Sequence, residues 1–346
     1  MACAAVATRR SWCVLVISGA LRLDGAGACR YRGAFAPSEL RRLSQHPAFA
    51  VYGQPSPALA AAGAGAVQTS PLIPGSSPMS EIDGGSLDGV VVAAPPGTLE
   101  RRYVLALALR ALKPGGRLTA LAPKDKGGSR LGKELAAFGC TVQETGQKHQ
   151  RVCETTRPPS PGGIDEAVEA GRPRLSESLG LWTQPGVFSW DRPDPGSLLL
   201  IGTLPRLAGC GADLGGGLGL LSRAVLANAG VTGLAVVELD SRAIECARRN
   251  VVDHRATFHW QDARTGPDLS GLDFVVMNPP FHDGGAEDRS LGQAFIRRAH
   301  GMLRRGGALW LVANRHLPYE GVLGDLFGAL TLRAEGGGFK VYEARK

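Results

Sequence analysis

The chain has 346 residues, 44% of them hydrophobic, and carries 39 Lys and Arg against 31 Asp and Glu, a formal net charge of +8. This length exceeds one ordinary core and suits two globular domains, and the hydrophobic fraction excludes a disordered chain. Seven cysteines, scattered and never in a CxxC pair, argue against a zinc site or a disulfide framework and for a reducing cytoplasm, so no metal is expected. The basic excess lies wholly in residues 1–175. It reads either as a surface for a polyanion such as RNA or as scattered surface arginines.

The first 23 residues hold Arg9, Arg10 and Arg22, no acid, and an apolar run "WCVLVI" (12–17). Six residues are short for the apolar region of a signal peptide, so a first strand or a disordered leader is expected. No run approaches the length that spans a bilayer, and no membrane partner is expected. Further along, "LDGVVVAAPPG" (87–97) reads as a strand ended by two prolines, followed by a helix over 103–112, a Gly115-Gly116 turn and a strand over 117–122. The stretch "TTRPPSPGGIDE" (155–166) has the Pro, Gly and Ser density of a flexible join. It divides the chain into domains over 1–157 and 176–346 with a linker over 158–175.

The C-terminal part is richer in polar signals. "GVFSWDRPDPGSLLL" (186–200) precedes its first strand and could close over a ligand or form a simple loop. Asp213-Leu-Gly-Gly-Gly-Leu-Gly219 lies between a short apolar strand and an amphipathic helix. Gly215, Gly217 and Gly219 allow a tight turn against which a ligand can lie, because side chains there would occupy the ligand's volume. An acid at position 213 suits a cationic, methionine-like amino group better than a pyrophosphate. The next strand ends on Glu238 in "VVELD", where an acid at the tip of a second strand can accept both ribose hydroxyls. Asp262, in "FHWQDAR", follows a third strand and could accept from the amine of an adenine. Singly, each could be an ordinary loop residue; three acids at three successive strand tips favour a nucleotide-like cofactor.

After these comes "NPPF" (278–281), at the end of the apolar strand 273–277. Two prolines end the ladder in a stiff turn. The whole segment repeats the earlier one: Pro95-Pro96 matches Pro279-Pro280, Gly115-Gly116 matches Gly306-Gly307 and Lys124 matches Arg315. A helix over 293–303 and a strand over 308–313 follow in the second copy, which carries seven extra residues directly after its prolines. The first copy has Ala94 where the second has Asn278, and Gly97 where it has Phe281. Only the second is equipped for chemistry.

In this order DLGGGLG, the acid of VVELD, QDA and NPPF resemble class I S-adenosylmethionine-dependent methyltransferases acting on exocyclic amines. "NPPFHDG", "GVFSWDRPDPGSLLL" and the duplication resemble, more narrowly, bacterial small-subunit ribosomal RNA guanine-N2 methyltransferases. The general motifs cover about half the chain, and the repeat extends the likeness to most of it. The resemblance implies an α/β fold of two tandem Rossmann-like domains. The C-terminal one would be catalytic with a seven-stranded, mostly parallel sheet, and the N-terminal one a degenerate copy that helps to hold RNA and supports its partner. It further implies S-adenosyl-L-methionine as cofactor, held by Asp213, Gly215, Gly217, Gly219, Glu238, Leu239, Asp262, Ala263 and Asn278. Catalysis falls to Asn278, Pro279, Pro280 and Phe281. Phe188, Asp194, Gly196, Phe281 and His282 are candidate substrate contacts, and the first 80 residues depart from the pattern by lacking any acid-led glycine loop.

An exocyclic amine is a poor nucleophile because its lone pair is delocalised into the ring. The Asn278 amide oxygen and the Pro279 carbonyl could each accept one N–H and aim that lone pair at the methyl group, which is positioning rather than base catalysis. Phe281 would stack on the base. The expected activity is methyl transfer to guanine N2 in small-subunit ribosomal RNA, by a monomer acting on the RNA or on the subunit. Methylation of a protein glutamine amide, and a non-catalytic RNA-binding protein with a vestigial fold, are the competing readings.

Overall fold

The computed structural model describes residues 48–54, 65–147, 149–280, 282–283, 286–287 and 289–346. The apolar run at 12–17 and Phe281 lie outside these. Two sheets organise the described chain. The first comprises β1 (Phe49–Tyr52), β2 (Val67–Gln68), β3 (Leu87–Ala93), β4 (Leu112–Pro123), β5 (Gln143–Gln147) and β6 (Gln150–Thr156), in the order β2-β1-β3-β4-β6-β5. Helices α1 (Thr98–Ala111) and α2 (Gly128–Ala136) connect β3 to β4 and β4 to β5.

Residues 158–175, expected as a flexible linker, contain helix α3 (Ile164–Gly171). The turn formers stop at Gly163, and Ile164, Ala167 and Val168 bring an apolar face onto the core of the first sheet. Gly171 is needed for the close approach, since a Cβ there would stand 2.3 Å from Tyr103 Cβ. A hairpin of β7 (Arg174–Ser176) and β8 (Leu181–Thr183) follows, and then α4 (Pro195–Thr203).

The second sheet is built from β9 (Gly209–Leu214), β10 (Val231–Glu238), β11 (Ala256–Trp260), β12 (Leu272–Met277), β15 (Leu303–Asn314), β16 (Ala329–Gly336) and β17 (Phe339–Arg345). Its order is β11-β10-β9-β12-β15-β17-β16, with β17 antiparallel to both neighbours and the other pairings parallel. The α/β organisation and the seven-stranded, mostly parallel sheet expected from the sequence are therefore present. Helices α5 (Leu220–Leu226), α6 (Ser241–Asn250), α7 (Arg289–Met302) and α8 (Glu320–Leu326) complete this half, with a small hairpin of β13 (His282–Asp283) and β14 (Ala286–Glu287). Buried apolar residues cover both faces of the sheet, as the run Val275-Val276-Met277 in a central parallel strand requires. Gly211 leaves room on β9 for the Phe274 ring, which a Cβ would meet at 2.1 Å.

Without β11, the second sheet has the strand path of the first. The duplication is thus structural, and among the described residues the first copy has no counterpart of the strand that leads to Asp262. Both Gly-Gly pairs lie inside strands that start earlier than expected, at Leu112 and Leu303; the register shift there absorbs the bend. The extra residues after Pro280 carry β13 and β14, whereas in the first copy α1 begins directly after Gly97. Register also shows that Val92 and Met277 are equivalent, so two alanines, Ala93 and Ala94, stand where the second copy has Asn278 alone.

Among the described residues no helix is long and apolar enough to cross a membrane.

Candidate active site

The site forms where β9, β10 and β12 end side by side. At the end of β9 the Asp213 side chain is wholly buried, its Oδ2 accepting from Ser222 Oγ at 2.6 Å while Oδ1 has no hydrogen-bond partner. Burial pushes its pKa up to about 7, with the neighbouring Glu238 charge acting the same way and the Ser222 hydrogen bond opposing it. An unpaired carboxylate oxygen in such surroundings is a strong acceptor awaiting a donor.

Gly215, Gly217 and Gly219 all have positive φ, at 78°, 52° and 83°. The backbone turns back over the sheet there, with Gly215 and Gly216 N–H groups donating to the Val237 carbonyl. A Cβ on Gly217 would meet nothing within 4 Å, so this edge of the loop is open, whereas one on Gly219 would stand 2.7 Å from Val251. The glycines thus serve different ends, Gly217 leaving space for a ligand and Gly219 making room for the helix behind.

Glu238, half-buried at the tip of β10, locks this loop. Its Oε2 accepts from Gly217 N and its Oε1 from Asp240 N, both at 2.9 Å. Burial raises its pKa despite these two bonds. A carboxylate has about four lone-pair sites, so capacity remains for a ribose hydroxyl. Leu239 is half-buried beside it, its carbonyl accepting from Trp260 Nε1 at 2.8 Å. Asp262 is held by Arg264, which keeps its pKa below the ordinary range. The Ala263 side chain is buried in the core, leaving its main chain to meet a ligand.

Asn278 is fixed by contacts that sequence reasoning missed. Its Nδ2 donates to Asp194 Oδ2 at 2.7 Å and to Ser197 Oγ at 3.0 Å. A carboxylate only accepts, so this pairing settles which end of the amide is nitrogen and leaves Oδ1 as the free acceptor. Asp194 is itself fixed as the N-cap of α4, accepting from Ser197 N at 2.6 Å with Pro195 at the first helical position. The cap was legible in "DPGS"; its meeting with an amide 84 residues away was not. Asp194, expected as a substrate contact, here orients Asn278. Gly196 allows α4 to lie against Phe339, whose ring a Cβ would meet at 2.9 Å. Pro279 is buried and Pro280 exposed; His282 lies in β13.

A cleft of about 130 Å³ joins these parts, lined among others by Phe188, Asp194, Ser197, Leu198, Gly217 and Asn278. Phe188 is 59% exposed and Leu198 49%, an apolar surface beside a fixed amide that suits a planar base. Ser189, with φ of 54°, turns the chain directly after Phe188. Glu238 and Asp262 do not line this cleft. A larger cavity, about 480 Å³, lies between the two halves against Pro71, Tyr103, Arg249 and Trp260 and contains none of the predicted site residues. The glycine loop and Asn278 meet at the smaller one.

The equivalent turn of the first copy is closed. Arg101, wholly buried, donates to the carbonyls of Pro95 (3.1 Å) and Pro96 (2.7 Å) and pairs with both oxygens of Glu134 at 2.6 Å. A guanidinium of the protein itself thus occupies the Pro95 carbonyl, the counterpart of that of Pro279. Among the described residues no group of His, Cys, Asp and Glu is arranged to hold a metal.

These features match known proteins. Residues 178–343 match the Methyltransferase small domain family. The chain is 32% identical over 272 residues to the ribosomal RNA small subunit methyltransferase C of Pseudomonas aeruginosa LESB58, covering 76% of this chain and 80% of that one. Its namesake from Shewanella amazonensis is 30% identical over 271 residues, 75% and 77% of the two chains. Among solved structures, the T. thermophilus 16S rRNA N2 G1207 methyltransferase, in complex with AdoMet and guanosine, superposes with a TM-score of 0.72 at 26% identity, covering 86% of this chain and 88% of that one.

Proposed function

This chain belongs to the ribosomal RNA small subunit methyltransferase C family, and from that premise we propose that it transfers a methyl group from S-adenosyl-L-methionine to the exocyclic 2-amino group of a guanine in 16S ribosomal RNA. The observation that carries the mechanism is the Asn278 amide, held at its nitrogen by Asp194 and Ser197 and so presenting its oxygen beside the open glycine loop.

The residues present fit the cofactor. Asp213 Oδ1 is an orphaned acceptor for an ammonium group, buried close to Gly216 of the loop. Gly217 leaves the space for the ligand to lie against the backbone. Glu238 retains lone-pair capacity for a hydroxyl, and Asp262 stands at the third strand tip with its carboxylate held by Arg264. S-adenosyl-L-methionine, when bound, supplies an electrophilic methyl on a sulfonium.

The protein's part in the reaction is alignment. Asn278 Oδ1 accepts one N–H of the guanine 2-amino group and the Pro279 carbonyl the other, drawing the nitrogen toward tetrahedral geometry with its lone pair aimed along the transfer direction. The prolines fix both acceptors before the base arrives. Asp194, an anion bonded to the amide nitrogen, polarises the amide and strengthens Oδ1 as an acceptor. Asn278 takes no proton at ordinary pH, so the proton leaves the amine after transfer. Phe188 packs against the face of the base, and Phe281 serves as a second stacking group.

The N-terminal half, with its closed turn and basic excess, holds RNA without taking part in chemistry. The enzyme acts as a monomer in the cytoplasm. The test is to incubate the protein and Asn278→Ala with labelled S-adenosyl-L-methionine and small-subunit ribosomal RNA, free and assembled, and to identify the labelled nucleoside. Label in N2-methylguanosine, reduced about a hundred- to a thousandfold in the variant, is expected from the loss of one pre-placed acceptor. Labelled protein and unlabelled RNA would overturn the proposal in favour of an amide acceptor.

A further inference from the structure

A continuous chain of charged contacts runs from the degenerate half to the glycine loop. Glu100 stands in the first turn of α1, just after the closed Pro95-Pro96 turn, and is 8% exposed. Its Oε1 accepts from an Arg242 terminal nitrogen at 2.6 Å across 142 residues of sequence. The same guanidinium grips both oxygens of Asp240, Nε to Oδ1 at 3.0 Å and the other terminal nitrogen to Oδ2 at 2.7 Å. The main-chain N–H of Asp240 donates to Glu238, whose other oxygen holds Gly217. Each link is a hydrogen bond to an ionised or buried group, the class with the most geometric authority.

Two further observations place Glu100 at a junction. The residue at 186 is a glycine with φ of 96°, and a Cβ there would stand 2.3 Å from Glu100 Cδ, so the carboxylate packs on the backbone two residues before Phe188. Pro71, also of the first half, accepts from Ser241 N at 2.9 Å and from Trp260 Nε1 at 3.1 Å, beside the same stretch of chain. The first half therefore holds the two residues directly after Asp240, Ser241 by its main-chain N–H and Arg242 by its side chain.

We infer that Glu100, acting through Arg242, is a positioning residue by which the degenerate half sets the geometry of the cofactor loop, and hence the affinity for S-adenosyl-L-methionine. The inference rests on the reading of Asp213, Gly217 and Glu238 as the cofactor site. It assigns the first half a role in cofactor binding distinct from holding RNA. Glu100 touches no reacting group; it fixes the direction in which Glu238 and the Gly217 N–H point. Its removal leaves Arg242 bound to Asp240 alone, so the fold persists while the loop loses its anchor.

The test is calorimetric binding of S-adenosylhomocysteine, with steady-state kinetics, for the full chain and for Glu100→Gln, Arg242→Lys and the double variant. Each single change is expected to raise the Kd about tenfold, about 1.4 kcal/mol. Together they should also cost about tenfold, because both break one path. KM for the cofactor rises with kcat unchanged at saturation, a split that a general loss of folding does not produce. Unchanged Kd in Glu100→Gln, or additive effects in the double variant, would overturn the inference. Glu238→Gln separates the two levels. If it weakens binding and Glu100→Gln does not, the positioning role alone falls; if neither does, the cofactor site has been misplaced and the inference falls with it.

Discussion

Replacing Asp213 by Asn tests the burial of the cofactor-loop acid directly. The wild-type carboxyl is fully buried with one oxygen unpaired, and its pKa is raised from 3.8 to about 7. A carboxyl whose folded pKa exceeds its unfolded value binds more protons in the native state between the two. Its stabilising protonation is fully present below the lower value and is lost as pH rises through the higher one. Between pH 5 and pH 8 about two pKa units of this loss take effect, about 3 kcal/mol. Asn does not titrate, so the cofactor-free variant should gain about 3 kcal/mol of stability relative to wild type across that interval, whatever fixed cost the substitution carries. Comparing the two values removes that fixed cost, including the altered bond to Ser222. Urea unfolding followed by tryptophan fluorescence at both pH values measures it. The same ionisation predicts that wild-type affinity for S-adenosylhomocysteine falls about tenfold from pH 8 to pH 6, as a carboxyl titrating near 7 loses charge. The Asn variant should bind weakly and without that component, which separates Asp213 from Glu238, whose pKa is also raised. A stability difference that does not change between pH 5 and pH 8 would refute the reasoning, since it would mean that the acid ionises as it does in water.

Ser197→Ala should lower kcat about tenfold with little change in cofactor affinity, because one of two anchors of the Asn278 amide is lost while Asp194 remains; single-turnover methylation at saturating cofactor reads this. Arg101→Met should destabilise the chain by about 3–5 kcal/mol, since it strands a half-buried Glu134 carboxylate and two proline carbonyls, and denaturant titration will show it. Gly219→Ala should destabilise as well, by roughly 1–3 kcal/mol, because both the positive φ and the contact with Val251 oppose a Cβ. Gly217→Ala, which meets no atom, should carry only the positive-φ part of that cost and in addition raise the cofactor Kd, a contrast that binding and melting measurements on the pair resolve.

Much of this protein was legible in the chain itself. The duplication, the α/β class, the acids at three strand tips and the glycine loop follow from local pattern, because strand ends, turns and positive-φ positions restrict which residues can stand there. Asp194 could be read as a helix cap for the same reason. What only the tertiary structure decided is how these pieces are aimed. Asn278 is meaningful because Asp194 and Ser197, far away in sequence, hold its nitrogen, and no periodicity encodes that meeting. The closed turn of the first copy could be guessed from its alanines, but its closure by Arg101 and Glu134 could not. The segment 158–175, composed like a join, became a helix at 164–171 because a neighbouring surface was there to receive its apolar face. Glu100 and Arg242 carry no motif; they matter because folding buries opposite charges together and leaves each little choice of partner. Local chemistry fixes which groups exist at the site, and long-range packing, which a linear pattern does not record, fixes their direction.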